Sequence, residues 1–474
     1  MVEAGAPHGL PRCPAAPLSR RHAIAAASPF HPEPGAARIP APTAARSIRS
    51  GIVLTDPAVC VPTDLDLLAG SGTQPSLDIS RSVLPPRLRP ASLGVLDISE
   101  FFGETTGGVR TYLLQKARYV EGHPDLRQVL VLPGACDSIH ATSGVRCYLL
   151  HGPSVPTQKP YRFMLTTRFT CRIVAHERPD LIEVGSAWCA PWLVHLAKRH
   201  LEVPAVWFYH SNFPRVIAPW PATAGPVRRQ ASRFAWAYVR RLSRMVDATL
   251  APSDFVAKEL EREGIHPVQR VTLGVDLERF HPRRRVYARE TRRGLGLPDG
   301  PLALYVGRLA REKELDLLLA AWPEVTRRGG TRLVLLGDGP SRRRLQRQKG
   351  SERFFWLPFQ SDRERVADLL AAVDLYVAPC SLETFGLSAL EALASGTPIL
   401  SADRGGVAET VRASGAGALF RSADAGSLVD VACQLMTANL GELGRLGRIH
   451  VEAHHGWDMV FDRLFEVYRG ILNR

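Results

Sequence analysis

The sequence lacks long hydrophobic runs, since no window of its 474 residues approaches the ~18 consecutive apolar residues of a membrane span. None of its eight cysteines forms a CxxC pair or has the spacing to histidine that is typical of a metal site. Walker and GxGxxG sequences are also missing, which argues against a P-loop enzyme and a nicotinamide-dependent oxidoreductase. These absences favour a cytoplasmic protein with reduced thiols and no metal site.

Acidic residues are in the minority. The chain has 60 Lys and Arg against 46 Asp and Glu, which gives a net charge of +14. Such an excess attracts nucleic acids, anionic lipids or anionic small molecules. Because no nucleic-acid recognition motif accompanies the charge, we expect no nucleic-acid partner.

The first 90 residues differ in composition from the rest of the chain. They are crowded with Pro, Ala, Arg, Ser and Gly and show little periodicity. A segment of this kind cannot bury enough apolar surface to offset the entropy lost on ordering. We therefore predict that residues 1–90 form a low-complexity, disordered extension. Asp64 and Asp66 make a DxD sequence there, which we interpret as chance.

Strand and helix patterns alternate after this segment. Apolar runs such as RQVLVLPG, DLIEVGS and PAVWFYHS predict buried strands, and WCAPWLVHLAKRH predicts an amphipathic helix. A second series, with LALYVGRL, TRLVLLGDGP and DLYVAPC as strands, begins near Pro301. This pattern is typical of parallel sheets covered on both faces. We predict an α/β protein with two doubly wound, Rossmann-like domains that face a cleft. The predicted bounds are 91–280 for the first domain, 281–300 for a linker, 301–455 for the second domain and 456–474 for a final helix.

The stretch CSLETFGLSALEALASGTP holds two glutamates at a predicted strand-to-helix turn, Glu383 and Glu391. One interpretation is structural: Ser388 and Glu391 fit the S-x-x-E capping box, and Glu383 is a solvated turn residue. The other is functional. Backbone amides near Gly386 could bind an anion at the helix N-terminus, while the carboxylates accept hydrogen bonds from hydroxyl groups.

Three further stretches end a predicted strand on the cleft side. VGRLAREKEL offers Gly307, Arg308 and Lys313 as phosphate ligands or, alternatively, an ordinary charged helix start. GETTGGVRTYL places Gly107 and Gly108 at a helix N-terminus. In VWFYHSNFPR, His210 is either a site residue or a satisfied core histidine.

Together, GRLAREK, APCSLETFGLSALEALASGTP, GVDLERFHP and TGGV resemble the retaining glycosyltransferases of family 4, which have the two-domain GT-B architecture. The resemblance extends from about Gly94 to Leu472. It implies transfer of a hexose from a nucleotide-diphosphate sugar, a final helix that crosses back to the first domain, and no metal or other cofactor. Its partners would be a nucleotide sugar and a glycan or lipid-linked acceptor.

The resemblance also implies a role for each matching residue. Arg308 and Lys313 would grip the diphosphate, Glu383 would contact the donor sugar, and Glu391 would contact the ribose. His210 would lie near the transferred sugar. The donor pocket would be completed by Gly107, Gly108, Gly307 and the backbone of Phe385, Gly386 and Leu387.

One stretch of the sequence bears on the identity of the donor sugar. FYHSNFPR is most similar to a stretch of mannosyltransferases, although Asn212 replaces the commoner Asp. GDP-mannose is therefore favoured over UDP-sugars. A nucleotide-sugar hydrolase or epimerase and a non-catalytic binding protein on the same fold are the remaining alternatives.

A basic helix is predicted over RRQASRFAWAYVRRLSRM. It is either a core helix with a solvated basic side or a docking face for anionic lipid, which would place the protein peripherally at the inner membrane face. Helical spacing predicts a basic face of Arg229, Arg233, Trp236, Arg240 and Arg244, opposite a face of Ala231, Phe234, Tyr238, Leu242 and Met245.

Overall fold

The computed structural model describes residues 84–103, 107–156, 161–214 and 225–474. The predicted disordered extension up to residue 83, with its DxD sequence, lies outside the described residues. Within the described part, Leu88 is buried and Arg89 donates to the Leu126 carbonyl at 3.0 Å. The packed chain therefore starts a few residues before the predicted boundary at residue 90.

The first sheet has eight described strands in the order β3-β4-β2-β1-β5-β6-β7-β8, and only the β3–β4 pair is antiparallel. Apart from the short edge strands β3 and β8, its near-continuous apolar strands are largely buried on both faces, as expected for a parallel sheet between helices. The strands are β1 (Leu93–Ile98), β2 (Leu126–Gly134), β3 (Ser138–Ala141), β4 (Val145–His151), β5 (Leu181–Val184), β6 (Ala205–Phe208), β7 (Ala248–Ala251) and β8 (Val268–Arg270). The helices are α1 (Gly108–Glu121), α2 (Thr167–Glu177), α3 (Ala190–Leu201), α4 (Gly225–Ser243) and α5 (Asp254–Arg262).

The second sheet is parallel, with six described strands in the order β11-β10-β9-β12-β13-β14. The strands are β9 (Leu302–Val306), β10 (Arg332–Leu336), β11 (Phe355–Leu357), β12 (Leu375–Ala378), β13 (Ile399–Ala402) and β14 (Gly417–Phe420). Its helices are α6 (Ala288–Gly294), α7 (Leu315–Gly329), α8 (Arg342–Gln346), α9 (Arg363–Ala372), α10 (Leu387–Ala394), α11 (Gly406–Ser414), α12 (Ala425–Leu435), α13 (Leu440–His454) and α14 (Trp457–Leu472). The prediction of two doubly wound sheets is confirmed.

The final helix α14 crosses back to the first sheet, as predicted. The fully buried Lys116 on α1 donates to Asp97 Oδ1 and to the Tyr468 hydroxyl, each at 2.7 Å. Tyr468 also donates to Glu183 on β5. Because breaking a buried charge network is costly, these contacts hold α14 against the first domain.

The segment predicted as a linker is helical rather than irregular. A 3₁₀ turn (Pro282–Tyr287) leads into α6, and neither contains a buried residue. Arg284 donates to Asp368 Oδ1 at 2.6 Å, and Arg292 donates to Asp374 Oδ2 at 3.0 Å. Ion pairs to the second domain hold this segment, so no apolar periodicity marks it in the sequence.

The predicted faces of the basic helix are wrong in part. Trp236, assigned to the basic face, is buried, and Phe234, assigned to the core face, is 68% exposed. The buried stripe of α4 instead runs through Ala235, Val239 and Leu242, which has the same helical spacing in a rotated frame. In the part of the chain that the structure describes, α4 and the other helices are too short or too polar to cross a membrane.

Candidate active site

The carboxyl ends of both sheets open onto one cleft of about 1130 Å³. Strand ends of parallel sheets meet at one edge, which is why residues distant in sequence converge here. Every site residue predicted from the sequence lines this cleft: Gly107, Gly108, His210, Gly307, Arg308, Lys313, Glu383, Phe385, Gly386, Leu387 and Glu391.

Lys313 and Glu383 form an ion pair inside the cleft. Lys313 Nζ donates to Glu383 Oε2 at 2.6 Å, and both side chains are about three-quarters buried. Burial lowers the pKa of Lys313, but the Glu383 carboxylate, with smaller contributions from Cys380 and Tyr305, holds that pKa above its ordinary value. Lys313 is therefore a firmly charged ammonium group at the edge of the loop before α10.

Glu314 ties the two cleft loops together and was missed in the sequence. Its carboxylate accepts hydrogen bonds from Ser381 N at 2.8 Å and from Ser381 Oγ at 2.9 Å. The residue adopts a left-handed backbone with φ 53°, which is unfavourable for a side chain other than glycine. Residues held in such conformations cluster at functional sites, and this backbone signal is not visible in the sequence.

Arg308 lies on the same strand-end loop, at the end of β9. Its nearest acidic neighbour is Glu312, with 3.9 Å between Arg308 Nη1 and Glu312 Oε1. The Arg308 side chain is about one-third exposed and lines the cleft, so it is accessible to a ligand there.

The turn before α10 depends on Gly386. Its backbone has φ 94°, and a Cβ there would lie 2.3 Å from Val407 Cγ2, so a larger residue would force the turn open. Helix α10 starts immediately after this glycine, and its first residues line the cleft. Ser388 lies within the helix and pairs with the Tyr376 hydroxyl at 2.7 Å. The capping-box interpretation of Ser388 and Glu391 is therefore wrong.

Glu391 is buried and pairs with Arg363. Burial raises the pKa of this carboxyl group, and the Arg363 guanidinium acts in the opposite direction. Arg363 also lies over the Phe280 ring, 5.2 Å from its centroid. Arg363 was not predicted as a site residue from the sequence, although it follows a strand end like the other site residues.

The N-terminus of α1 meets that of α10 across the cleft. A Cβ on Gly108 would lie only 3.1 Å from Leu387 Cδ1, so the small residue permits this approach. Each helix end carries backbone N–H groups without an intrahelical partner and a partial positive charge. The two ends can therefore act on one anionic group.

His210 is held at the end of β6 between the domains. Its ring stacks on Phe208 with 4.2 Å between centroids, and its carbonyl accepts from Thr384 Oγ1 at 3.0 Å. Burial, with a contribution from Lys116, lowers the pKa of His210 to about 3. The imidazole is thus neutral at ordinary pH and can offer one donor and one acceptor.

Asn212, where the sequence departs from the mannosyltransferase pattern, also has a structural partner. It is buried, and its Nδ2 donates to Glu259 Oε2 on α5 at 2.8 Å. An aspartate could not donate to that carboxylate, so the amide fits this surrounding.

Comparison with known proteins shows which family the chain belongs to. Family models described as Glycosyltransferase Family 4 and Glycosyl transferases group 1 match residues 106–279 and 288–444. A "GDP-mannose-dependent alpha-(1-6)-phosphatidylinositol dimannoside mannosyltransferase" of Mycobacterium tuberculosis is 33% identical over 67% of this chain and 82% of that protein. The chain belongs to glycosyltransferase family 4.

Other similarities give the breadth of this family. The sulfoquinovosyl transferase SQD2 of Arabidopsis thaliana is 31% identical over an alignment that covers 53% of the present chain and 48% of SQD2. A sucrose-phosphate synthase structure from Thermosynechococcus elongatus superposes with a TM-score of 0.68 at 21% identity, covering 80% of this chain and 99% of that one. The predicted GT-B architecture and glycosyltransferase activity are therefore confirmed.

Proposed function

We propose that this glycosyltransferase moves mannose from GDP-mannose to a hydroxyl group of a lipid or saccharide acceptor, with retention of the anomeric configuration. The observation that carries the proposal is the Lys313–Glu383 pair at the N-terminus of α10. It places a cation beside a carboxylate that can accept hydrogen bonds from sugar hydroxyl groups. The relative from Mycobacterium tuberculosis, a GDP-mannose-dependent mannosyltransferase by name, favours mannose among the possible sugars.

The donor diphosphate would lie between the two helix ends. Arg308 would supply a fork for two phosphate oxygens, and Lys313 a point charge. The amides of Phe385, Gly386 and Leu387 would add hydrogen bonds from the α10 N-terminus. This positive set can neutralise the leaving group without a metal, and we propose that no metal or other cofactor is needed.

The carboxylates would recognise hydroxyl groups on either side of the diphosphate. Glu383 would accept from the donor sugar, and Lys313 would hold this carboxylate at its position. Glu391 would accept from the ribose, with Arg363 keeping the buried carboxylate charged.

In the reaction, the bond between the anomeric carbon and the β-phosphate oxygen breaks. The acceptor oxygen forms the new bond to that carbon from the same face, and its proton passes to the departing phosphate oxygen. Arg308 and Lys313 would act mainly on the negative charge that develops on the diphosphate. Neutral His210 would hydrogen-bond the transferred sugar without adding charge beside it.

The acceptor would be delivered from the first domain. We propose action at the cytoplasmic side of a membrane, with peripheral contact to anionic lipid through the basic helix α4. The helix carries several arginines and contains no aspartate or glutamate.

Thermal unfolding with GDP, UDP and ADP tests the donor assignment. A ligand that binds only the folded protein raises the midpoint with its concentration. We expect GDP to stabilise the chain by a few degrees and UDP by less. Stronger stabilisation by UDP would favour a UDP-sugar donor, and no effect of any nucleotide would contradict the proposal. NMR of the product then tests whether the anomeric configuration is retained.

A further inference from the structure

A second opening lies on the first domain, beside the cleft. It is an open groove of about 500 Å³, which we call the α2–α3 groove. Its wall is almost entirely apolar and comes from the segment before α2, from the start and middle of α3, and from α4. The apolar lining residues are Phe163, Met164, Leu165, Trp188, Trp192, Leu193, Leu196 and Tyr238.

Local structure explains why the groove exists. Helix α2 begins only at Thr167, so residues 161–166 run irregularly along the groove. On the other side, the buried Glu100 accepts from Cys189 N at 2.7 Å and from Ala190 N at 3.2 Å. This carboxylate fixes the start of α3 and thereby the position of Trp188.

Trp188 connects the groove to the catalytic cleft, because it lines both. Its ring packs edge-on against Phe101 on the cleft side, with 5.0 Å between centroids. On the groove side it contacts Phe163, at 5.7 Å. The apolar surface is thus continuous from the groove to the cleft.

Large apolar side chains around the groove remain in contact with solvent. Leu165 is 59% exposed, Trp192 38% and Leu196 43%. Phe234, one helical turn before Tyr238 on α4, is 68% exposed. Contiguous exposed apolar surface of this kind marks an interaction site.

The rim of the groove is positively charged. The Arg241 guanidinium lies over the Trp192 ring, 6.0 Å from its centroid. Neither α3 nor α4 contains an acidic residue, and the single acid of α2, Glu177, is buried against Arg146. Such a rim favours an anionic amphiphile over a neutral one.

We infer that the α2–α3 groove binds the apolar chain of an anionic lipid acceptor. The head group of that lipid, which carries the accepting hydroxyl, would pass Trp188 into the cleft, while Arg241 at the rim contacts its phosphate. This inference rests on the proposed function and specifies its acceptor as a lipid.

Chain-length dependence of binding tests the inference. The probes are dihexanoyl and dioctanoyl phosphatidylglycerol, both below their micelle-forming concentrations, and the deacylated glycerophosphoglycerol, each titrated into the full chain by calorimetry. We expect affinity to rise about fourfold for each additional methylene that the groove buries, and no measurable binding of the deacylated compound.

Two matched variants locate the site. Leu196→Asp places a charge in the groove, and Ile449→Asp makes the same change at a similarly exposed residue, 47% against 43%, on α13. We expect Leu196→Asp to lose the chain-length dependence and Ile449→Asp to keep it. With brominated chains, quenching of tryptophan fluorescence should fall in Trp192→Phe.

Several outcomes would overturn the inference. Equal affinity for all three compounds, or unchanged lipid binding by Leu196→Asp, would each do so. Binding to phosphatidylglycerol vesicles without binding to any monomeric lipid would also contradict it. So would a dimer of the protein that Leu196→Asp dissociates, if lipid affinity does not depend on chain length. GDP stabilisation, measured on the same samples, separates this failure from failure of the proposed function. If GDP protects all variants and chain length has no effect, only the lipid groove is rejected.

Discussion

Lys313 Nζ donates to Glu383 Oε2 at 2.6 Å, which joins the loop after β9 to the loop before α10. A second link between the same loops runs from Glu314 to Ser381. Two charged groups with proposed roles on the leaving diphosphate and on the sugar are therefore positioned by each other. Charge-assisted hydrogen bonds of this kind fix geometry as well as adding stability.

Replacing Lys313 should reduce catalysis far more than folding. We expect Lys313→Ala to lower kcat by more than about 100-fold, because one preorganised charge at the developing diphosphate is removed. Steady-state release of GDP from GDP-mannose measures this. Lys349→Ala, which removes an exposed lysine, is the matched control and should retain its rate. Near-normal turnover by Lys313→Ala would contradict the assignment of this residue.

The left-handed backbone of Glu314 allows positioning to be separated from stability. Glu314→Ala and Glu314→Gly both lose the bonds to Ser381, and both should raise the KM for the donor. Glycine tolerates φ 53°, so the glycine variant should be more stable than the alanine variant by about 1 kcal/mol in urea unfolding. In a double-mutant cycle that combines Glu314→Ala with Ser381→Ala, the changes in KM should be non-additive. Additive effects would show that Glu314 does not act through the Ser381 hydroxyl group.

His210 should make stability depend on pH. Its pKa is about 3 in the folded chain, below the ordinary value of 6.5, so the unfolded chain binds more protons between these values. The stabilisation is therefore present above pH 6.5 and is lost as the pH falls, by at most about 1.4 kcal/mol per pH unit.

Urea unfolding between pH 7 and pH 5 measures that slope. His210→Phe keeps an aromatic ring beside Phe208 and should flatten it. Part of the slope should remain, because burial also lowers the pKa of His455, to about 4. An unchanged slope in His210→Phe would show that His210 is protonated equally in both states.

The sequence predicted those features that depend on local pattern. The apolar strands, their parallel order and the strand-end residues follow from periodicity together with the rule that parallel strands end at one edge. Arg363 was not predicted, because its partner, Glu391, lies 28 positions away in the sequence and only the fold brings the two together. The helix in the linker was not predicted, because ion pairs hold it and leave no periodic apolar pattern. The orientation of α4 was wrong because its apolar stripe is rotated from the predicted one.

The proposed contact of Glu391 with the ribose can be tested by removing hydroxyl groups from the ligand. Hydrogen bonds to a charged group contribute about 1.5–3 kcal/mol, so wild type should bind GDP roughly 10- to 150-fold more tightly than 2′,3′-dideoxy-GDP. Glu391→Gln should lose most of this preference, because the neutral amide is a weaker acceptor and no longer pairs with Arg363 as an ion. Calorimetry with both nucleotides provides the measurement.

Arg363→Met is the matched comparison for that experiment, since it leaves Glu391 in place but removes its cation. Because burial raises the pKa of Glu391 and Arg363 opposes this effect, the variant carboxyl group should take up a proton at higher pH than in wild type. Its preference for GDP over the dideoxy compound should therefore weaken as the pH falls and recover as the pH rises. Glu391→Gln has no carboxyl group at this position, so its weak preference should not vary with pH. A preference that is the same in all three proteins would place the ribose away from Glu391.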